Sequence, residues 1–256
     1  MDSTAAAALL GAGVAGVGGL LVPRLIAMVP PWEPPRPDPS SSDERSEADA
    51  TVDATDPDQD ELPEPYTEIA GLPGLAWKSA VAGVVAGAVA GAGAGWEWAW
   101  LLWVPFVPAY LALALIDWRT RLLPTYLIGP MLAAMAALVL LGWPVTGDGH
   151  AVLRSALGFV TFGGFYLLLW FVYPRGLGFG DVRLSGPLGL ALGWMGWGPV
   201  LVGVYAGFLL GGVIGGLLAV ARIVERKGFP FGPFMLLGAV VGLLWGDALW
   251  SGLVGA

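Results

Sequence analysis

The chain has no cysteine and a single histidine, His150, in 256 residues. Without cysteine there is no disulfide framework, no thiolate metal site and no thiol nucleophile. One histidine cannot build a histidine metal centre either. Charge is scarce as well: 12% of residues are charged and 56% are hydrophobic, with mean hydropathy +0.72. Soluble domains carry roughly 25% charged and about 45–50% apolar residues. A soluble globular domain is therefore excluded. So is a nucleic-acid-binding module, because no basic patch is dense enough to track a phosphate backbone. No phosphate-binding glycine-rich loop of the P-loop type occurs.

The net charge of −8 is local rather than global. Residues 33–68 hold thirteen acids against only Arg36 and Arg45, so that stretch is −11 and the remainder +3. Residues 30–74 are rich in proline, serine and acid. They bury too little apolar surface to offset ordering entropy, and a disordered cytoplasmic linker is expected there. It separates a first transmembrane span within 1–29 from a membrane domain over 75–256. Asp2 places acid where a cleavable signal peptide would carry positive charge, so the first span reads as retained.

Apolar runs of about 20 residues, the length that crosses a hydrocarbon core, recur along the chain. They predict an all-α polytopic membrane bundle of about eight transmembrane helices, near 4–29, 75–95, 99–117, 125–142, 154–173, 184–196, 199–221 and 234–254. Gly83, Gly87, Gly91 and Gly95 recur every four residues, as do Gly203, Gly207, Gly211 and Gly215. Such stripes let a second backbone approach closely inside a bilayer. Trp96, Trp98, Trp100 and Trp103 read as an interfacial belt. His150 falls in a polar loop and has no expected role. Nor has Asp247.

The alternation of spans puts Arg24, Arg36, Arg45, Lys78, Arg119, Arg121, Arg175, Arg183, Arg222, Arg226 and Lys227 on one side. That is eleven of twelve basic residues, with only Arg154 opposite. The positive-inside rule makes that side the cytoplasm. Two aspartates share the level. Asp181 follows three glycines in Gly176-Leu177-Gly178-Phe179-Gly180, a stretch whose backbone freedom is expected to interrupt the preceding helix. Asp117 ends the third span, just before Arg119 and Arg121.

An ionisable residue at the edge of a bilayer is costly and marks a functional site with a partner. Each aspartate alone also has a plain structural reading: Asp117 as an ion pair with Arg119 or Arg121, Asp181 as a helix N-cap. Two close carboxylates hold one proton between them. The ionised member draws a proton from water while the protonated one polarises a carbonyl, which is peptide hydrolysis without a covalent intermediate. Cation binding by the same pair is the rival chemistry, short of further oxygen ligands.

Gly178-Phe179-Gly180-Asp181-Val182-Arg183-Leu184 resembles the GxGD signature of bacterial type IV prepilin peptidases, a family of membrane aspartyl proteases. Ile116-Asp117-Trp118-Arg119-Thr120-Arg121-Leu122-Leu123-Pro124 resembles the segment carrying that family's first catalytic aspartate. Pro230-Phe231-Gly232-Pro233-Phe234, followed by Leu237-Gly238-Ala239, resembles a third motif. The resemblance covers roughly 75–250. It implies Asp117 and Asp181 as the catalytic pair, supported by Gly178, Gly180, Arg183, Pro230, Phe231, Gly232 and Pro233, with no metal or cofactor needed for cleavage. The implied substrate is a prepilin-like precursor, cut at the cytoplasmic face of the bacterial inner membrane after a short basic leader that typically ends in glycine.

The sequence departs from that family in places. Many members carry paired cysteines that bind zinc between the first two spans and also methylate the new N-terminus. Here the acidic, cysteine-free stretch takes that place, so zinc is not expected, and the sequence leaves methyl transfer open. Arg183 stands where lysine is more usual, and Thr125 where asparagine or aspartate is frequent. Two other functions remain compatible with the same aspartates: a non-catalytic membrane assembly factor, and a small proton- or cation-coupled transporter. The sequence is silent on oligomeric state.

Overall fold

The computed structural model describes residues 2–31, 64–174, 176–220 and 230–254. Residues 32–63, Arg175 and the basic turn 221–229 lie outside the described residues. With them go most of the acidic stretch and Arg36, Arg45, Arg222, Arg226 and Lys227. Among the described residues the protein is helical, with no strand.

Proline shapes the first elements. The expected first span is two helices, α1 (Ser3–Gly19) and α2 (Val22–Ala27), with Pro23 in the opening turn of the second, where its missing N–H costs nothing. A short helix α3 (Tyr66–Ala70) then precedes α4 (Leu75–Ala94). The third span starts as α5 (Trp98–Trp103), tightens into a 3₁₀ turn at Val104–Phe106, and continues as α6 (Val107–Thr120). Pro105 and Pro108 sit at that tightening, each removing a backbone donor from the ladder. The chain continues with α7 (Thr125–Thr146), α8 (Gly149–Val172), α9 (Phe179–Met195), α10 (Trp197–Val220) and α11 (Gly232–Val254).

Helix α8 starts earlier than its apolar run, because the Asp148 carboxylate accepts from the Ala151 N–H at 2.9 Å and caps it. His150 consequently sits in the first helical turn, exposed. Among the described residues, five helical segments are long and apolar enough to cross a membrane: Leu75–Ala94, Trp98–Thr120, Thr125–Thr146, Gly149–Val172 and Gly232–Leu253. Ser3–Gly19 and Trp197–Val213 are shorter apolar helices. The protein is a multi-pass membrane bundle.

Three tight pairs dominate: α1 with α4, α8 with α9, and α10 with α11. Each closes through glycine. A Cβ at Gly83, Gly87 or Gly91 would run into the α1 backbone at Ala15, Gly11 or Ala7. Gly95, the fourth of that stripe, ends α4 in a positive-φ conformation instead (φ 66°). Indole N–H groups tie further elements. Trp98 donates to the Leu138 carbonyl at 3.0 Å and Trp100 to the Ala7 carbonyl at 3.1 Å, so these two of the expected belt brace helices.

Helix α9 sits among α5, α7, α8, α10 and α11 and is buried without interruption from Leu184 to Trp194. At 17 residues it is about 25 Å long, short of a full crossing. A helix apolar on all sides and enclosed by others is a core element. Its C-terminal carbonyls are held by Arg154, whose guanidinium donates to Gly193 (3.0 Å) and Trp194 (2.7 Å). A cation at a helix C-terminus complements the dipole. The basic residue that stood alone on the opposite side thus anchors the far end of the helix that carries Asp181.

Candidate active site

Asp117 lies in the last turn of α6 and is 3% exposed. The turn ends at Arg121, in the left-handed region (φ 57°), whose N–H donates to the Asp117 carbonyl at 2.8 Å. That closure is an αL cap made without glycine. It turns the chain sharply into 122–124, which runs back to α7. The Asp117 side chain is fixed separately: its Oδ2 accepts from the Gly232 N–H at 2.9 Å. Gly232 is the first residue of α11, and a Cβ there would lie 2.8 Å from the same oxygen. Only glycine brings this backbone donor so close.

Asp181 lies in the first turn of α9, 5% exposed, and its Oδ2 accepts from the Gly178 N–H at 3.0 Å. It caps its own helix from inside the first turn rather than from the N-cap position. Its Oδ1 is buried with no hydrogen-bond partner among the described residues. A buried acceptor left unpaired costs roughly 1–3 kcal/mol, so whatever enters beside it gains that much by donating. The glycines before it do not supply the unusual backbone expected of them: Gly178 is extended (φ −73°, ψ 149°), and neither it nor Gly180 has positive φ. Gly180 instead permits contact, since a Cβ there would sit 2.7 Å from Leu123 Cβ. The first turn of α9 thereby closes onto the loop that follows Asp117.

The two aspartates, distant in sequence, line one cavity of about 330 Å³, with Tyr66, Arg121, Thr125, Gly178, Gly180 and Arg183 among the other walls. That is room for roughly ten waters, or for a short stretch of extended peptide. Of the two arginines that the plain structural reading pairs with Asp117, Arg119 takes another partner. The Arg119 guanidinium grips Glu64 in a fork, at 2.7 and 2.6 Å. Those hydrogen bonds hold the Glu64 carboxyl below its usual range. The grip is therefore intact at neutral pH and is released only as pH falls through that lowered value. Among the described residues, no cluster of three or more His, Cys, Asp or Glu side chains is placed to hold a metal ion.

Residues 104–247, more than half of the chain, match the type IV leader peptidase family. The chain belongs to that family. Among its relatives, a prepilin leader peptidase/N-methyltransferase of Aeromonas salmonicida (strain A449) is 33% identical over 147 residues, 54% of this chain and 47% of the relative. The protein of the same name from Pseudomonas aeruginosa is 31% identical over 150 residues, again 54% of this chain and 47% of the relative. The one from Escherichia coli (strain K12) is 33% identical over 170 residues, 64% of this chain and 70% of the relative. The chain thus spans about half the length of the Aeromonas and Pseudomonas relatives. No solved structure matches.

Of the residues that the leader-peptidase motifs single out, Asp117, Gly178, Gly180, Asp181 and Arg183 share the cavity, and Gly232 reaches it through Asp117. Arg183 and Thr125 are hydrogen-bonded to each other, the guanidinium donating to the hydroxyl. The same guanidinium lies 4.8 Å over the Phe179 ring. Phe231, Pro230 and Pro233 do not line the cavity. Phe231 packs edge-on against the buried Tyr166 ring, centroids 5.8 Å apart. Pro230 is buried, and Pro233 faces a separate groove beside Trp118 and Arg119. Sequence reasoning missed Glu64 and Tyr66, both inside the stretch expected to be a disordered linker. One signal was there: Tyr66 is the sole aromatic residue between 33 and 74.

Proposed function

We propose that the protein is an aspartic-type endopeptidase that removes the short leader from a type IV prepilin-like precursor, with Asp117 and Asp181 as its catalytic pair. The observation that carries this reading is the shared cavity. Two buried carboxylates face it, each steadied at one oxygen by a backbone N–H from a different motif. Membership in the type IV leader peptidase family and relatives named prepilin leader peptidases support the substrate class.

The pair holds one proton at neutral pH. The ionised carboxylate takes a proton from a water whose oxygen attacks the scissile carbonyl carbon. The protonated one gives its proton to the carbonyl oxygen. The gem-diol then collapses: the C–N bond breaks, one diol proton passes to the carboxylate that is now ionised, and the amide nitrogen leaves with the proton that the other carboxyl took from water. Leader removal regenerates the starting protonation state. The unpaired Asp181 Oδ1 supports a place for the attacking water or the protonated carbonyl.

The basic residues at this end, Arg119, Arg121 and Arg183 among them, support a cytoplasmic site in a bacterial inner membrane. Peptidase activity alone is proposed; the methyltransferase half of the relatives' names is not carried over. To test it, a prepilin precursor is co-expressed with wild type, Asp117→Asn or Asp181→Asn. Leader removal by wild type and its loss in both variants is expected. Unchanged processing in either variant sinks the catalytic pair. Ion-dependent uptake by reconstituted vesicles without a cut product would favour a transporter.

A further inference from the structure

Of the described residues that line the aspartate cavity, Tyr66 alone lies outside the family match over 104–247. Three things hold it there. Its helix, α3, is stitched by Ile69, fully buried, and by Tyr66 itself into an apolar cluster with Val22, Ile26, Val29, Leu75, Ala112 and Ile116. Pro65 fixes the entry to that helix as its N-cap. Glu64, two residues before Tyr66, is gripped by Arg119, two residues beyond Asp117 on α6. The clamp and one aspartate therefore ride on the same rigid helix, and Tyr66 is held in register with Asp117. Its hydroxyl has no hydrogen-bond partner among the described residues. Burial raises the phenol's pKa further above neutral, so it stays an O–H donor.

We propose that Tyr66 is a substrate-contacting residue, donating its O–H to a backbone carbonyl of the peptide bound between the aspartates, with Glu64 and Arg119 as its positioning pair. A phenol on a short helix, fixed by a forked ion pair, costs little further entropy when it makes that bond. The C-terminal end of the acidic stretch thus completes a substrate wall that the matched region leaves open. This rests on the peptidase reading above.

Full-length protein in detergent, assayed with a prepilin precursor, tests it. Tyr66→Phe keeps the ring and its packing. It is expected to lower kcat/KM roughly fivefold to tenfold, chiefly through KM, because one hydrogen bond common to bound substrate and transition state is lost. Thermal unfolding should not move. Glu64→Arg and Arg119→Glu should each raise KM, and the double exchange should recover most of the loss. The absence of native cysteine allows a second readout. Tyr66→Cys on an Asp181→Asn background should form a disulfide with a precursor carrying one cysteine beside its cleavage point. A wild-type kcat/KM for Tyr66→Phe, or no cross-link, overturns the inference while leaving Asp-dependent cleavage standing. Wild-type protein that removes no leader overturns the peptidase reading and this inference together.

Discussion

Glycine does different work in the seams of the bundle and at its aspartate rim, and one helix shows both. In α11, Gly238 lies against Gly207 of α10 so closely that an added Cβ would run into backbone. Six positions earlier, Gly232 lies against the carboxylate of Asp117. The first glycine removes bulk so that two helices touch. The second removes bulk so that a donor reaches a charge. Stripes of small residues mark the first use in any membrane bundle. Only the partner atom tells it apart from the second.

Substitutions should separate the two uses, and the largest effect belongs in the seam. Gly238→Leu pushes a branched side chain into backbone that cannot yield, and overpacking of this kind costs about 3 kcal/mol or more. The expected outcome is loss of folded protein, read as loss of a monodisperse detergent-solubilised peak and of cooperative thermal unfolding. A well-folded variant would mean that α10 and α11 do not pack as described.

Gly232→Ala comes next and should fail differently. Its methyl would sit 2.8 Å from Asp117 Oδ2, so the carboxylate moves while the seam stays closed. A displacement approaching 1 Å at a reacting group costs on the order of a hundredfold in rate. Cleavage should fall about that far with little change in thermal unfolding. Gly180→Leu belongs beside it, because its side chain must displace Leu123. Cleavage should be abolished with membrane insertion intact, as a protease-protection assay would report. If both variants kept full activity, the rim glycines would be mere spacers and the contrast with Gly238 would vanish.

The sequence made the bundle legible, because hydropathy alone marks out most of the helices. It made Asp117 and Asp181 legible as a pair at one level, since both end up beside positive turns. Their convergence on a cavity was not legible. It depends on Arg121 turning the chain with positive φ and on Gly180 meeting Leu123, and neither shows in a composition window. Asp181 was half legible as a cap, and it does cap, through Gly178, from a position that leaves its other oxygen free. Glu64 and Tyr66 were hidden by their neighbours. Proline and acid dominate the surrounding stretch, and the partner that orders them, Arg119, lies on another helix.

The smallest effect is expected where glycine touches nothing. Gly129 in α7 and Gly164 in α8 face a groove of about 520 Å³, and a Cβ at either would meet no atom within 4 Å. Neither seam nor carboxylate needs them bare. Replacing glycine by alanine inside a helix gains up to about 1 kcal/mol from backbone entropy. Gly164→Ala should therefore leave cleavage unchanged and hold or slightly raise the unfolding temperature. A drop in unfolding temperature would show that another backbone packs on this face, and Gly164 would then belong with Gly238 rather than apart from it.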